Sequence, residues 1–150
     1  MTFNANVSRI FSKTEIQRTL AETVTEPPLF IPSTTYTPYL QRVGLLDQPD
    51  WIANVSLGYD LGPFSSRASV LYQKGNLTDY GRNDRALSTF DTYVRVDAQA
   101  SYRLRPSLSL FAQFNNLTNR PDRSFTSAAR FLGESEVYGR SFNLGLRFRP

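Results

Sequence analysis

Polar side chains that alternate with apolar ones are the residues of this sequence best suited to chemistry. The stretches VRVDAQASYRL (Val94 to Leu104) and SLSLFAQFNN (Ser107 to Asn116) show the pattern most clearly. Their amides and charged groups can bind water or a polar solute, or contact another protein domain. A solvated wall would carry the same residues, and it is the favoured interpretation. The candidates are Arg67, Arg95, Asp97, Gln99, Arg103, Gln113, Asn115 and Arg147.

Catalysis and nucleic-acid binding have little support in the composition. The 150 residues include no cysteine and no histidine, which removes the usual zinc sites and imidazole-based nucleophile pairs. Glu134 and Glu136 could bind a metal or a substrate, but two carboxylates in a loop are usually solvated. The arginines behind the net charge of +4 are scattered and no nucleic-acid motif is present. We therefore expect no enzyme activity, catalytic residue, cofactor, metal or nucleic-acid partner.

The elements that position these residues are predicted to be six strands, because apolar and polar residues alternate with a period of two. The predicted fold is all-β, an antiparallel up-and-down meander. A turn of helix is expected over Glu15 to Thr23. The predicted strands lie near 2–12, 51–60, 64–74, 93–104, 107–117 and 138–149, and the long connections are 13–50, 75–92 and 118–137.

The lengths of the connections indicate a transmembrane β-barrel. They run long, short, long, short, long, so a meander places every long loop on one side, as outer-membrane barrels do. A mean hydropathy of −0.38 does not argue against this, because only alternate residues of such a barrel face lipid. Six strands are too few to close a barrel, since about eight is the smallest number with a filled interior. We therefore expect the chain to be part of a larger barrel.

Aromatic residues near the ends of the apolar faces favour contact with lipid over contact with a protein core. Rings with a polar tip belong at membrane–water interfaces. Arg9 shares its face with apolar residues, but it is near a strand end, where an arginine can reach the headgroups. The predicted interface aromatics are Trp51, Tyr59, Phe64, Tyr72, Tyr102 and Phe148.

The turns suggest specific strand pairings. Across RPS, Leu104 is expected opposite Leu108 and Tyr102 opposite Leu110, which also pairs Ala98 with Phe114 and Gln99 with Gln113. Across DLGP, Tyr59 is expected opposite Phe64 and Trp51 opposite Tyr72. A slip of one residue would exchange the two faces and is excluded.

Four segments resemble, in order and spacing, the C-terminal third of TonB-dependent outer-membrane receptors. They are QPDWIANVSLGYD, YVRVDAQASYRL, LSLFAQFNNLTNRPDRSF and YGRSFNLGLRFR, and FNNLTNRP is the most specific part. The resemblance covers residues 1–12 and 48–149 and leaves the early loop without a family signal. Pro150 departs from the family, whose barrels usually end in an aromatic residue.

The resemblance implies a barrel of about 22 strands in the bacterial outer membrane, plugged by an N-terminal domain that is absent from this chain. It implies import of a scarce nutrient of the siderophore, cobalamin or glycan class. The implied partners are membrane lipid, the remaining barrel, the plug and, through the plug, the TonB complex. The residues themselves leave two alternatives open: a subunit of an oligomeric outer-membrane barrel, and a soluble β-sandwich binding module.

Overall fold

The computed structural model of the protein describes residues 1–27, 31–81, 87–126 and 130–149. It contains twelve strands and no helix within these ranges. Pro150 lies outside them, as do short parts of the three long connections. The strands are β1 (Thr2–Arg9), β2 (Thr14–Glu26), β3 (Ile31–Val43), β4 (Trp51–Leu61), β5 (Phe64–Gln73), β6 (Leu77–Asp79), β7 (Ser88–Phe90), β8 (Tyr93–Arg105), β9 (Leu108–Asn115), β10 (Asp122–Thr126), β11 (Phe131–Glu136) and β12 (Ser141–Phe148).

Six of these strands form one antiparallel sheet in the order β1-β4-β5-β8-β9-β12. They are the six segments in which apolar and polar residues alternate, and each pairs with the next one along the chain within this set. The prediction of an all-β, antiparallel meander is therefore confirmed. A closed barrel of about 22 strands stays a prediction.

The connection between β4 and β5 is shorter than expected. Leu61 pairs with Phe64, which leaves a two-residue loop of Gly62 and Pro63. Gly62 has a φ of 55°, which glycine adopts without steric cost at the first position of a type II′ hairpin turn. Tyr59 therefore pairs with Ser66 rather than Phe64, and the expected register was wrong by two residues.

The β8–β9 connection is a second two-residue turn, and it carries an irregularity that the sequence did not reveal. Ala98 pairs with Phe114, Gln99 with Gln113 and Tyr102 with Leu110, as predicted. The register then shifts between Arg103 and Arg105, so that Arg105 and not Leu104 pairs with Leu108. A bulge of this kind lets the strand gain a residue next to the turn without changing the faces farther along.

The early connection contains a long hairpin. The strands β2 and β3 pair along their whole length, so the helix expected over Glu15 to Thr23 was wrong. Six of the 13 residues of β2 are threonine, valine or isoleucine, and their branched side chains favour a strand. Pro32 and Pro38 lie within β3, which is tolerated because β3 has a partner on one side only.

The other two long connections together form a small sheet, the outer sheet, in the order β11-β10-β7-β6. Segments 75–92 and 118–137 therefore contain strands as well as loops. The N–H of Asp91 donates to the carbonyl of Arg123 at 2.8 Å, which ties the two connections together where the outer sheet meets β8.

The six-stranded sheet has no hydrophobic core of its own. Val43 is the one buried hydrophobic residue among those that the structure describes. Large apolar side chains on the sheet stay exposed, for example Leu144 at 63% and Val55 at 39%. A sheet of this kind needs apolar surroundings on one face.

Candidate lumen wall and outer connections

All eight predicted polar candidates lie on one face of the six-stranded sheet, here called the polar face. The register places Arg67, Gln99, Gln113 and Asn143 in one row across four strands. Alternation along each strand then puts the other candidates on the same side. The structure therefore brings these residues together on a single continuous surface, and its exposure to a lumen remains a prediction.

The six predicted interface aromatics all lie on the opposite side, the apolar face. Phe64 pairs with Tyr102, and Tyr59 and Phe148 lie at a similar level near the short turns. Trp51 and Tyr72 lie near the other end of the same face. Small and branched residues such as Val55, Val70 and Val96 fill the level between the two groups, where the register aligns them in one row.

Arg9 is the charged residue that alternation places on the apolar face, and two aromatic rings lie beside it. It pairs with Trp51 at the end of β1 that is remote from the short turns. Its guanidinium carbon lies 4.3 Å from the ring centroid of Phe11 and 5.0 Å from that of Trp51. Both contacts are cation–π interactions, which stabilise a cation beside apolar surface.

A charged pair on the polar face connects β8 to the end of β9. Arg95 Nε donates to Asp97 Oδ2 at 3.0 Å. The other carboxylate oxygen of Asp97 accepts the backbone N–H of Asn116 at 2.9 Å. Asp97 was predicted as part of a solvated wall, and the structure shows that it also fixes the start of the turn that follows β9.

That turn is the Asn-Leu-Thr-Asn segment, and Asn116 organises it. Asn116 has a φ of 55°, a left-handed conformation that asparagine tolerates better than most residues. Its side-chain oxygen accepts the N–H of Arg120 at 2.9 Å, and its side-chain nitrogen donates to the carbonyl of Gly139 at 2.8 Å. Asn116 therefore joins the end of β9 to the chain that enters β12, which gives this segment of the resemblance a structural reason.

A carboxylate between two arginines links the same turn to the outer sheet. Arg120 Nη2 donates to Asp91 Oδ2 and to the carbonyl of Thr92, both at 2.6 Å, and Arg130 Nη2 lies 3.2 Å from Asp91 Oδ1. Burial raises the pKa of Asp91, but this effect is outweighed by hydrogen bonds from Arg120, the Thr92 N–H and Arg130 and by the charge of Arg120. The pKa therefore lies below its ordinary value of 3.8. Asp91 is therefore held ionised.

The β2–β3 hairpin is attached to the connection between β6 and β7 through Arg18. This side chain is 4% exposed, and its guanidinium donates to the carbonyls of Tyr80 and Gly81 and to Gln41 Oε1. Tyr80 Oη in turn donates to the carbonyl of Gly44 at 3.1 Å. Three backbone carbonyls, those of Tyr80, Gly81 and Gly44, thus accept the bonds that join the hairpin to the β6–β7 connection, while Gln41 fixes Arg18 within the hairpin.

The loop residues weighed as ligand contacts have mostly structural surroundings. Tyr138 Oη donates to the carboxylate of Glu136, which raises the pKa of the tyrosine, while Glu134 and Glu136 lie in the exposed strand β11. In the parts of the chain that the structure describes, no group of three acidic, histidine or cysteine residues is placed to hold a metal ion. Reasoning from sequence missed Arg18, Asp91 and Arg120, whose partners are distant in the chain. Asn116 stood within the segment that carried the resemblance.

A helix long and apolar enough to span a membrane does not occur among the described residues.

The two opposite faces and the sorted connections define the class: a section of wall from an outer-membrane β-barrel. The family model described as TonB dependent receptor-like, beta-barrel, matches residues 14–117, which is most of the chain. The chain therefore belongs to the β-barrel part of TonB-dependent receptors, outer-membrane proteins of Gram-negative bacteria. No curated protein and no solved structure matches it.

This membership confirms the resemblance and the outer-membrane location, and it changes one detail. The early connection, expected to carry no family signal, lies inside the matched range. The family consists of transporters and receptors and not of enzymes. The rest of the barrel, the plug domain and TonB are the partners that the family implies. A soluble β-sandwich module does not agree with this membership.

Proposed function

We propose that this chain is a wall segment of a receptor that imports a scarce nutrient, with the apolar face against lipid and the polar face toward the lumen. The observation that carries the proposal is the continuity of both faces. Over six strands the pairings keep the apolar and polar sides continuous, and the one register shift in these pairings, between Arg103 and Arg105, lies beside the β8–β9 turn. A sheet face that stays apolar without a covering layer is suited to contact with lipid acyl chains.

The dimensions of the apolar face support contact with a bilayer. Trp51 and Tyr59 are eight residues apart on β4. At about 3.3 Å per residue and a tilt of about 45°, they are separated by roughly 20 Å along the membrane normal, close to the apolar band of about 25 Å in such barrels. Interface aromatics at both ends and small apolar residues between them match that band.

The decisive experiment places a charge at matched positions on the two faces. Val55 and Ala98 lie midway along the apolar face, whereas Ser56 and Gln99 follow them in the chain and lie on the polar face. Arginine at the midplane on the lipid side costs about 2–4 kcal/mol. We expect V55R and A98R to reduce the amount of heat-modifiable, folded receptor in outer membranes, and S56R and Q99R to leave it near the wild-type level. Equal tolerance on both faces would refute the orientation.

Import itself is tested separately. Siderophore, cobalamin and glycan are the candidate classes of nutrient. Cells that lack the receptor should lose uptake of one radiolabelled compound from these classes, and cells that lack TonB should lose the same uptake. Unchanged uptake of all three classes in receptor-deficient cells would contradict the proposal of nutrient import while leaving the barrel assignment intact.

A further inference from the structure

Four arginines lie around one hollow on the polar face, at the end where the turns are short. Arg103 and Arg147 both pair with Ser109 from opposite sides, so their backbones are about 10 Å apart. Arg105, which follows the register shift beside the β8–β9 turn, and Arg149, directly after β12, also line the hollow, which has a volume of about 570 Å³. We call these four residues the arginine cluster.

No carboxylate of the described residues pairs with the guanidinium groups of the cluster. Among the residues that the structure describes, none of the four side chains forms an ion pair or a hydrogen bond. Asp60, an acidic residue toward the same end of the polar face, instead accepts a hydrogen bond from Ser65. Like charges that are gathered without a counter-charge repel one another, so the cluster favours an anionic partner.

The floor of the hollow is shaped to stay open. Ser101 and Ser109 contribute small side chains, and Phe111 lies across the strand toward Gly145. A Cβ atom at Gly145 would come within 2.6 Å of Phe111 Cζ, so glycine is what permits the ring to lie there. The guanidinium carbon of Arg147 is 5.7 Å from the centre of the same ring. Because the Phe111 ring lies toward Gly145, which has no side chain, room for a ligand remains above Ser101 and Ser109.

We propose that the arginine cluster binds an acidic polypeptide segment of the plug domain, which enters the barrel at the short-turn end. The inference rests on the proposed function, because it requires the polar face to line the lumen. Each guanidinium can bind a carboxylate through two parallel hydrogen bonds. The backbones of Arg103 and Arg147 alone are about 10 Å apart, so the four groups fit several aspartate or glutamate side chains better than one small anion. The plug is also the partner that the family places with the barrel.

The test uses the complete receptor in outer membranes. A benzophenone amino acid replaces Ser109, between Arg103 and Arg147, and the cross-linked peptide is identified by mass spectrometry. We expect it to come from the plug and to contain clustered acidic residues. The yield should fall at least about tenfold in R103E/R147E, because reversing a paired charge removes the attraction and adds repulsion. The matched variant R67E, on the same face but outside the cluster, should keep the yield.

Three further outcomes decide the proposal. A peptide without acidic residues, or a yield unaffected by R103E/R147E, overturns it. If inorganic phosphate abolishes cross-linking and no plug peptide is captured, the cluster is a small-anion site and the proposal is wrong. Where R103E/R147E does not assemble, the receptor with only Ser109 replaced is cross-linked at low and high salt, and a yield independent of salt overturns the proposal. If the polar face does not line the lumen, the charge-placement experiment reports this separately, because V55R and S56R are then tolerated equally.

Discussion

Replacing Asn116 separates two contributions to the stability of the turn after β9. The side chain makes two short, partly buried hydrogen bonds, one from the N–H of Arg120 and one to the carbonyl of Gly139. Each is worth about 0.5–1.5 kcal/mol net, so removing both costs about 1–3 kcal/mol. The left-handed backbone at φ 55° adds a second cost for any residue with an ordinary side chain.

Glycine and alanine at this position provide the comparison. N116G loses the hydrogen bonds but accepts the backbone conformation, so we expect a loss of about 1–3 kcal/mol. N116A loses the same bonds and also meets a steric penalty of about 1 kcal/mol or more. N116A should therefore be the less stable of the two, although alanine is normally the better residue in regular structure.

The measurement is urea unfolding of the purified receptor in lipid vesicles, followed by the mobility shift between folded and unfolded protein on gels. T19A, in a strand of the β2–β3 hairpin, is a suitable control because it lies far from the turn. Wild-type stability in N116A, or a glycine variant less stable than the alanine variant, would refute this account of the turn.

Three further variants test other contacts. D91N should lower unfolding free energy by about 1.5–3 kcal/mol at neutral pH. The pKa of Asp91 is lowered in the folded protein, so the stabilisation from its ionised form is complete above the ordinary pKa of 3.8 and is lost as the pH falls through the folded pKa. The unfolding free energies of wild type and D91N should therefore converge in acid, which urea titrations at several pH values would measure. R18A should lower the unfolding free energy by about 1.5–3 kcal/mol for each charged hydrogen bond lost, and it should expose the β2–β3 hairpin to limited proteolysis. An unchanged cleavage pattern would contradict the anchoring role of Arg18. R9K keeps the charge but loses the guanidinium contact with the Trp51 ring, with an expected loss of about 0.5–1 kcal/mol in the same urea assay. A larger loss in R9K than in R9A would contradict a stabilising contribution of this contact.

Alternation along the chain was enough to assign the six barrel strands and their faces. It did not fix the register across Gly62 and Pro63, because a shift of two residues keeps every side chain on its own face. The two-residue turn depends on the φ of Gly62, which the pattern of polar and apolar residues does not encode. The bulge near Leu104 escaped prediction for a similar reason, since it changes the pairing only beside the turn.

The strands in the long connections could not be recognised from the sequence, because their stability depends on pairing and not on burial. In β3, Pro32 and Pro38 are typical of loops, and only the presence of a single partner strand makes them compatible with a strand. The long-range contacts of Arg18 and Arg120 could not be predicted either. Arg18 contacts a carbonyl 63 positions away, and Arg120 contacts a carboxylate 29 positions away, distances over which spacing carries no information.

The β2–β3 hairpin also changes the chain entropy of assembling the sheet. Between Arg9 and Trp51 the chain has residues 10–50, about 41 in all, which must close for β1 to meet β4. Once the hairpin has formed, only residues 10–13 and 44–50 remain flexible, about 11 in all. Loop-closure entropy costs about 0.6 kcal/mol per doubling of length, so shortening the effective loop by nearly two doublings lowers that cost by about 1 kcal/mol. A hairpin within a long connection can thus favour the pairing of the two sheet strands that the connection joins.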